Sequence, residues 1–145
     1  MLSFSLKLEL FFSVLCADII EMSTPNSSIV LIIDDEPDIC FLLSNLLKKK
    51  KFETLIASTL AEGIKMLKQS SPGLLFLDIH LPDGSGLDAL PAIKRDFPDI
   101  KIIMMSAYDG VKERSIAMNA GVNVFIGKPL NFEMIAESLN KVMAL

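Results

Sequence analysis

The chain has 145 residues, 51% of them apolar, and a formal net charge of −4. This length fits one domain with a single sizeable core, and the composition excludes disorder, which needs low hydrophobicity and high net charge. An acidic domain gains nothing from counterion release on a nucleic acid, so direct nucleic-acid binding is not expected.

The two cysteines, Cys16 and Cys40, have neither metal-ligand spacing nor the number for a disulfide framework. A reducing, cytoplasmic setting follows. Residues 1–28 are read as an N-terminal extension or leader. Leu10 to Ala17 is apolar with Lys7 upstream, the outline of a signal peptide, but Glu9 and Asp18 flank it and no small-x-small cleavage site follows. The run is too short to span a bilayer, so no membrane association is expected. Met22, followed by a polar leader, offers an alternative start. A short amphipathic helix that docks on a partner or a second copy is the other reading.

The second domain boundary is Ile29, and residues 29–145 form the folded unit. Ile29 to Ile33 is a continuous β-branched run, which reads as a strand buried on both faces. Pro37 opens a helix with a broad apolar stripe from Ile39 to Leu47, closed by Lys48 to Lys51, which complement the helix dipole. Phe52 to Ala57 is the second strand. Thr59 and Glu62 have capping-box spacing and open the second helix, which Pro72-Gly73 ends. Leu74 to Leu77 is the third strand, with Asp78 its last residue. Pro82 to Gly86 is a loop by composition.

Leu87 to Asp96 predicts a third helix, in which Pro91 should cost about 3 kcal/mol unless the helix kinks. Ile100 to Met105 is the fourth strand. Residues 110–120 form the fourth helix, with Gly121 as its C-terminal cap. Val122 to Ile126 is the fifth strand, and Asn131 opens a last helix to about Met143. Five strands alternating with five helices predict an α/β fold with a parallel sheet covered on both faces. Periodicity does not separate the two common open-sheet orders. In either, ligands bind beyond the carboxyl ends of the strands.

The polar residues at those ends carry the chemistry. Asp34-Asp35 follows strand one, Asp78 ends strand three, Ser106 strand four, and Lys128-Pro129 follows strand five. Singly, each has an ordinary reading: a helix-capping pair, a turn residue, a solvated lysine. Together they place three carboxylates, one hydroxyl and one ammonium on one rim. Clustered carboxylates repel unless a cation or proton intervenes, and a hard divalent ion such as Mg²⁺ or Mn²⁺ suits them. Phosphoryl transfer needs little beyond such positioning and charge neutralisation, with Asp78 as nucleophile.

Asp34-Asp35, the stretch Leu77-Asp78-Ile79-His80-Leu81-Pro82-Asp83-Gly84-Ser85-Gly86-Leu87, Met105-Ser106-Ala107 and Lys128-Pro129 resemble the receiver (phosphoacceptor) domain of two-component response regulators. The resemblance covers residues 29–145. It implies a flavodoxin-like, doubly wound five-stranded sheet of order 2-1-3-4-5. It implies that a sensor histidine kinase or phosphotransfer protein phosphorylates Asp78. Asp35, Asp78 and the backbone carbonyl of His80 would bind Mg²⁺, with Asp34 helping through water. Lys128 and Ser106 would stabilise the phosphoryl group. Ser106 and Phe125 would be the switch pair, Phe125 turning inward on activation. The face of the fourth helix, fifth strand and fifth helix would then meet a downstream protein or a second copy.

The chain departs from many members at His80, two residues past the phosphoacceptor, and at Tyr108, two past Ser106. The pair is expected to tune the phosphoryl lifetime by excluding water. The end of the chain just after the last helix favours a stand-alone receiver, with a fragment of a DNA-binding regulator or hybrid kinase as the alternative. An aspartate-nucleophile phosphatase is disfavoured because it usually carries a second aspartate where His80 stands. A flavin module is disfavoured because Asp34-Asp35-Glu36 would repel a phosphate after strand one.

Overall fold

The computed structural model describes residues 26–108 and 110–144, together with Lys7. The apolar run of the leader, Cys16 and Met22 lie outside the described residues.

Strand β1 covers Asn26–Ile33, beginning three residues before the predicted start. Val30 to Ile33 are fully buried. Side chains alternate between the faces of a strand. Val30 and Ile32 accordingly join one core cluster with Leu43, Leu47 and Leu139, while Leu31 and Ile33 join another with Leu67, Leu90 and Ile93. The continuous apolar run is thus the mark of a strand covered on both sides.

Helix α1 spans Pro37–Lys49 and β2 spans Glu53–Ala57. Helix α2 spans Leu60–Ser70, and Thr59 Oγ1 accepts from Glu62 N at 3.2 Å. The return arm of the expected capping box is shifted: the Glu62 carboxylate accepts from Ser58 N, one residue earlier. Ser71, in the left-handed conformation, ends this helix. Strand β3 begins at once and runs over Pro72–Asp78, so Pro72-Gly73 belongs to a strand as well as marking a stop.

The Pro82-to-Gly86 loop is more ordered than its composition suggests. His80–Leu81 (β4) and Gly84–Ser85 (β5) pair as a small antiparallel hairpin around Pro82-Asp83, a two-residue connection of the kind that closes tight hairpins. Helix α3 follows at Gly86–Asp96. It runs through Pro91, whose missing N–H leaves the Leu87 carbonyl without its usual donor. Strand β6 spans Lys101–Ser106, α4 spans Val111–Asn119, β7 spans Val124–Gly127 and α5 spans Phe132–Met143. Gly121 takes a φ of 98° just past α4, as its capping position requires. Asn131 Oδ1 caps α5 by accepting from Met134 N at 2.9 Å.

The main sheet is parallel, in the order β2-β1-β3-β6-β7. Counting its five strands alone, this is the expected 2-1-3-4-5 arrangement. The two core clusters lie on its opposite faces. No helix among the described residues is long and apolar enough to cross a membrane.

Candidate functional site

Register builds the site. Ile33 pairs with Leu77, so Asp34 and Asp78 leave their strands side by side. Asp78 pairs with Met105, which puts Ser106 one residue farther along the neighbouring strand. Ser106 pairs with Gly127, and Lys128 N donates to Ser106 O at 2.7 Å. The four strand ends thus deliver the carboxylates, the hydroxyl and the ammonium to one rim.

Asp34 and Asp78 are almost wholly buried, at 1% and 3% exposure, while Asp35 is exposed. One carboxylate oxygen from each of the three lies within 4.8 Å of the others. Lys128 Nζ reaches into this cluster, 2.9 Å from Asp34 Oδ2 and 3.3 Å from Asp78 Oδ2. It also donates to Glu36 Oε1 at 2.7 Å. Asp34 Oδ1 accepts from Glu36 N at 2.8 Å. Asp34 Oδ2 has no aligned hydrogen bond among the described residues.

Burial pushes the Asp78 carboxyl above its ordinary value, and the Asp34 charge pushes the same way against Lys128. Asp34 is raised chiefly by burial, against the pull of Lys128 and the Glu36 N–H. Burial favours loss of the Lys128 proton, but the hydrogen bond to Glu36 and the ion pair with Asp34 outweigh it and hold this ammonium above its usual value. The pocket therefore keeps its cation at neutral pH while its buried carboxylates remain short of positive charge. That shortage, the three convergent oxygens and the buried Asp34 Oδ2 without an aligned donor fit a hard divalent cation, and the triad can hold one.

Gly86 shapes the floor. A Cβ there would overlap the carbonyl oxygen of Asp78, and Gly86 N donates to Ile79 O at 2.8 Å. The end of β3 and the start of α3 therefore approach more closely than any side chain permits.

Ser106 is fully buried. Its Oγ donates toward Tyr108 O at 2.8 Å and accepts from Tyr108 N at 3.0 Å, with Glu113 Oε2 at 3.4 Å. Phe125 is buried on the α2–α3–α4 face of the sheet. Arg114 covers that ring at 4.8 Å and donates from Nη1 to Phe125 O at 3.2 Å. The His80 and Tyr108 rings meet at the mouth, and both side chains are exposed.

Sequence reasoning singled out the acidic pair, Asp78, Ser106, Lys128, Phe125, His80 and Tyr108, and all eight gather at or beside this rim. It missed four contacts. Glu36 was read only as part of an acidic run, yet it holds Lys128. Glu113 and Arg114 carried no signal beyond their place in the first turn of a helix. Asp83 was a turn residue, but its carboxylate accepts from Leu60 N at 2.8 Å and Ala61 N at 2.9 Å, capping α2 from 23 and 22 residues away.

A family model described as the response regulator receiver domain matches residues 30–140. The chain is 32% identical over 115 residues to the chemotaxis protein CheY of Bacillus subtilis, covering 79% of this chain and 96% of that one. It is 34% identical over 115 residues to the response regulator PilR of Pseudomonas aeruginosa, covering 79% of this chain and 26% of that one. It spans only 49%, 26% and 24% of the first three curated relatives it matches. Among solved structures, a CheY-like receiver domain protein from Methanospirillum hungatei JF-1 superposes with a TM-score of 0.72 at 29% identity, covering 82% of this chain and 98% of that one.

Proposed function

The chain belongs to the response regulator receiver domain family, and on that premise we propose that Asp78 accepts a phosphoryl group from a phosphohistidine of a sensor kinase or phosphotransfer protein. The observation that carries the reading is the Asp78–Lys128 pair, 3.3 Å apart, beside Asp34 and Asp35 at the carboxyl rim of the sheet.

In the transfer, an Asp78 carboxylate oxygen forms the new P–O bond as the P–N bond to the donor imidazole breaks. The leaving imidazole takes the electron pair and a proton. Lys128 neutralises Asp78 at rest and turns to a phosphoryl oxygen as charge shifts onto the transferred group. The Ser106 hydroxyl donates to a second phosphoryl oxygen. Asp35, Asp78 and the backbone carbonyl of His80 would hold Mg²⁺ or Mn²⁺, with Asp34 assisting through water. When bound, this ion supplies positive charge against the carboxylates and the phosphoryl oxygens. The product is a mixed anhydride on a switch rather than a released product of turnover.

Phosphorylation adds roughly −1.5 to −2 charge at the rim. Ser106 moves toward it, the loop before α4 follows, and the face of α4, β7 and α5 changes its packing around Phe125. A downstream protein or a second copy reads that face. The contact of His80 with Tyr108 keeps water from the acyl phosphate and lengthens its life. PilR is roughly four times the matched length and the Bacillus CheY scarcely longer. Output by protein contact is proposed, and output through an attached DNA-binding or kinase unit is the second reading. Both place it in the cytoplasm with its kinase.

The decisive test is incubation with acetyl phosphate and Mg²⁺ followed by intact-mass measurement. A phosphate adduct in the parent protein, lost in Asp78→Asn, is expected. Its absence from the parent protein refutes the reading.

A further inference from the structure

Ser106 has one hydroxyl hydrogen, and the rim already offers it two acceptors. Tyr108 O lies at 2.8 Å and Glu113 Oε2 at 3.4 Å. A phosphoryl oxygen on Asp78 would be a third, and all three compete for the same hydrogen. Tyr108 O is main chain. Glu113 is the one of the two resting acceptors that a side chain supplies, and so the one the sequence can tune.

Two features hold Glu113 in place. It stands in the first turn of α4, where an acidic side chain complements the helix dipole. Its neighbour Arg114 ties the same turn to β7, with the guanidinium over the Phe125 ring and Nη1 on Phe125 O. The carboxylate is thereby kept at the end of β6 while Arg114 fixes the helix against β7.

We propose that Glu113 is a positioning residue of the switch: it holds the Ser106 hydroxyl in its resting orientation and sets how readily that hydroxyl is given up to the phosphoryl group. The proposal rests on the phosphoacceptor role of Asp78. It adds an opposing weight that the Ser106–Phe125 pair alone does not contain. Adjacent residues of one helical turn then address the two switch residues separately, Glu113 taking Ser106 and Arg114 taking Phe125.

The test is a double-mutant cycle read by binding of beryllofluoride with Mg²⁺, a mimic of the phosphoryl group that needs no donor protein. Glu113→Ala should bind beryllofluoride about fivefold more tightly than the parent protein, the scale of one hydrogen bond released from competition. Glu113→Gln, which keeps an acceptor but not the charge, should fall between. In the Ser106→Ala background the gain from Glu113→Ala should shrink to less than about twofold, because the hydroxyl is no longer there to release. An unchanged affinity in Glu113→Ala overturns the proposal. So does an equal gain with and without Ser106, which would mean simple repulsion between two anions. Failure of the underlying reading looks different: Asp78→Asn would then bind beryllofluoride as tightly as the parent protein.

Discussion

His80 and Tyr108 meet edge to face, with ring centroids 5.3 Å apart and planes at 90°. The contact joins the segment after β3 to the segment after β6 across the mouth above Asp78. Such a pair contributes about 0.5–1.5 kcal/mol beyond its buried area. If it excludes water from the acyl phosphate, His80→Ala and Tyr108→Ala should each shorten the phosphoryl lifetime by roughly three- to tenfold. The double variant should do little more, because one contact is being removed twice. Decay of phosphorylated protein followed by intact mass gives the numbers, and unchanged decay in both single variants would exclude the role.

Asp34 is a buried carboxylate held above its ordinary value. A raised value in the fold means stability present at low pH and lost as pH rises through the folded value. The same sign holds for Asp78. Without divalent ions, thermal stability should therefore fall as pH rises from about 4 toward neutrality, with Lys128, Glu36 and Asp35 as the other charges facing the pair. Asp34→Asn keeps an acceptor for Glu36 N and removes one buried charge. At pH 7 it should gain about 1 kcal/mol, or roughly 3–6 °C in Tm. Thermal melts of both proteins across this pH range check the sign and the size.

Mg²⁺ supplies the charge the triad lacks, so it should raise the Tm of the parent protein, and the rise should grow with pH as protons leave Asp34 and Asp78. Asp35 is the exposed member. Asp35→Ala should cost little stability without metal yet remove most of the Mg²⁺-dependent rise. Melts with Mg²⁺ and with a chelator separate these effects.

Gly86→Ala would drive a methyl group into the Asp78 carbonyl. The two nearest atoms, the oxygen and carbon of that carbonyl, are backbone at the junction of β3 and α3, which cannot yield as a flexible side chain would. A loss of about 1–3 kcal/mol is expected, with a displaced Asp78 and slower phosphorylation by acetyl phosphate. Denaturant melts and phosphorylation rates test the two parts independently.

Asp83 receives the first N–H groups of α2, from Leu60 and Ala61, and they hold its carboxyl below the usual range. A lowered value in the fold contributes stability above the unfolded value and loses it as pH falls through the folded one. Asp83→Ala should therefore reduce Tm at neutral pH, and the deficit should close at pH well below 4. A deficit independent of pH would assign the loss to packing alone.

The alternation of strands and helices was legible because a sheet covered on both faces demands unbroken apolar strands, and Ile29 to Ile33 and Leu74 to Leu77 are such runs. The five rim residues were legible because each ends or follows one of those strands. The β4–β5 hairpin was not, since turn residues announce a bend but not the two backbone pairs that flank it. The partnerships of Glu36, Asp83, Glu113 and Arg114 were hidden for a related reason. Glu36 meets Lys128 across 92 residues, and no local pattern records which carboxylate a distant cation will reach. The burial of Phe125 follows from β7 alternation and from Arg114 covering its ring.

Cys40 sits against the back of the same pocket, its Sγ donating to Asp34 O at 3.4 Å. Burial, with the Asp34 charge behind it, pushes the thiol up to about 11. At neutral pH only about one molecule in ten thousand carries the thiolate there, and little of the side chain is exposed. This sulfur is therefore a quiet probe in the closed molecule. An alkylating dye will mark it slowly while α1 is seated and faster when α1 lifts from the sheet, so its labelling rate reports the opening of the wall beside the carboxylates.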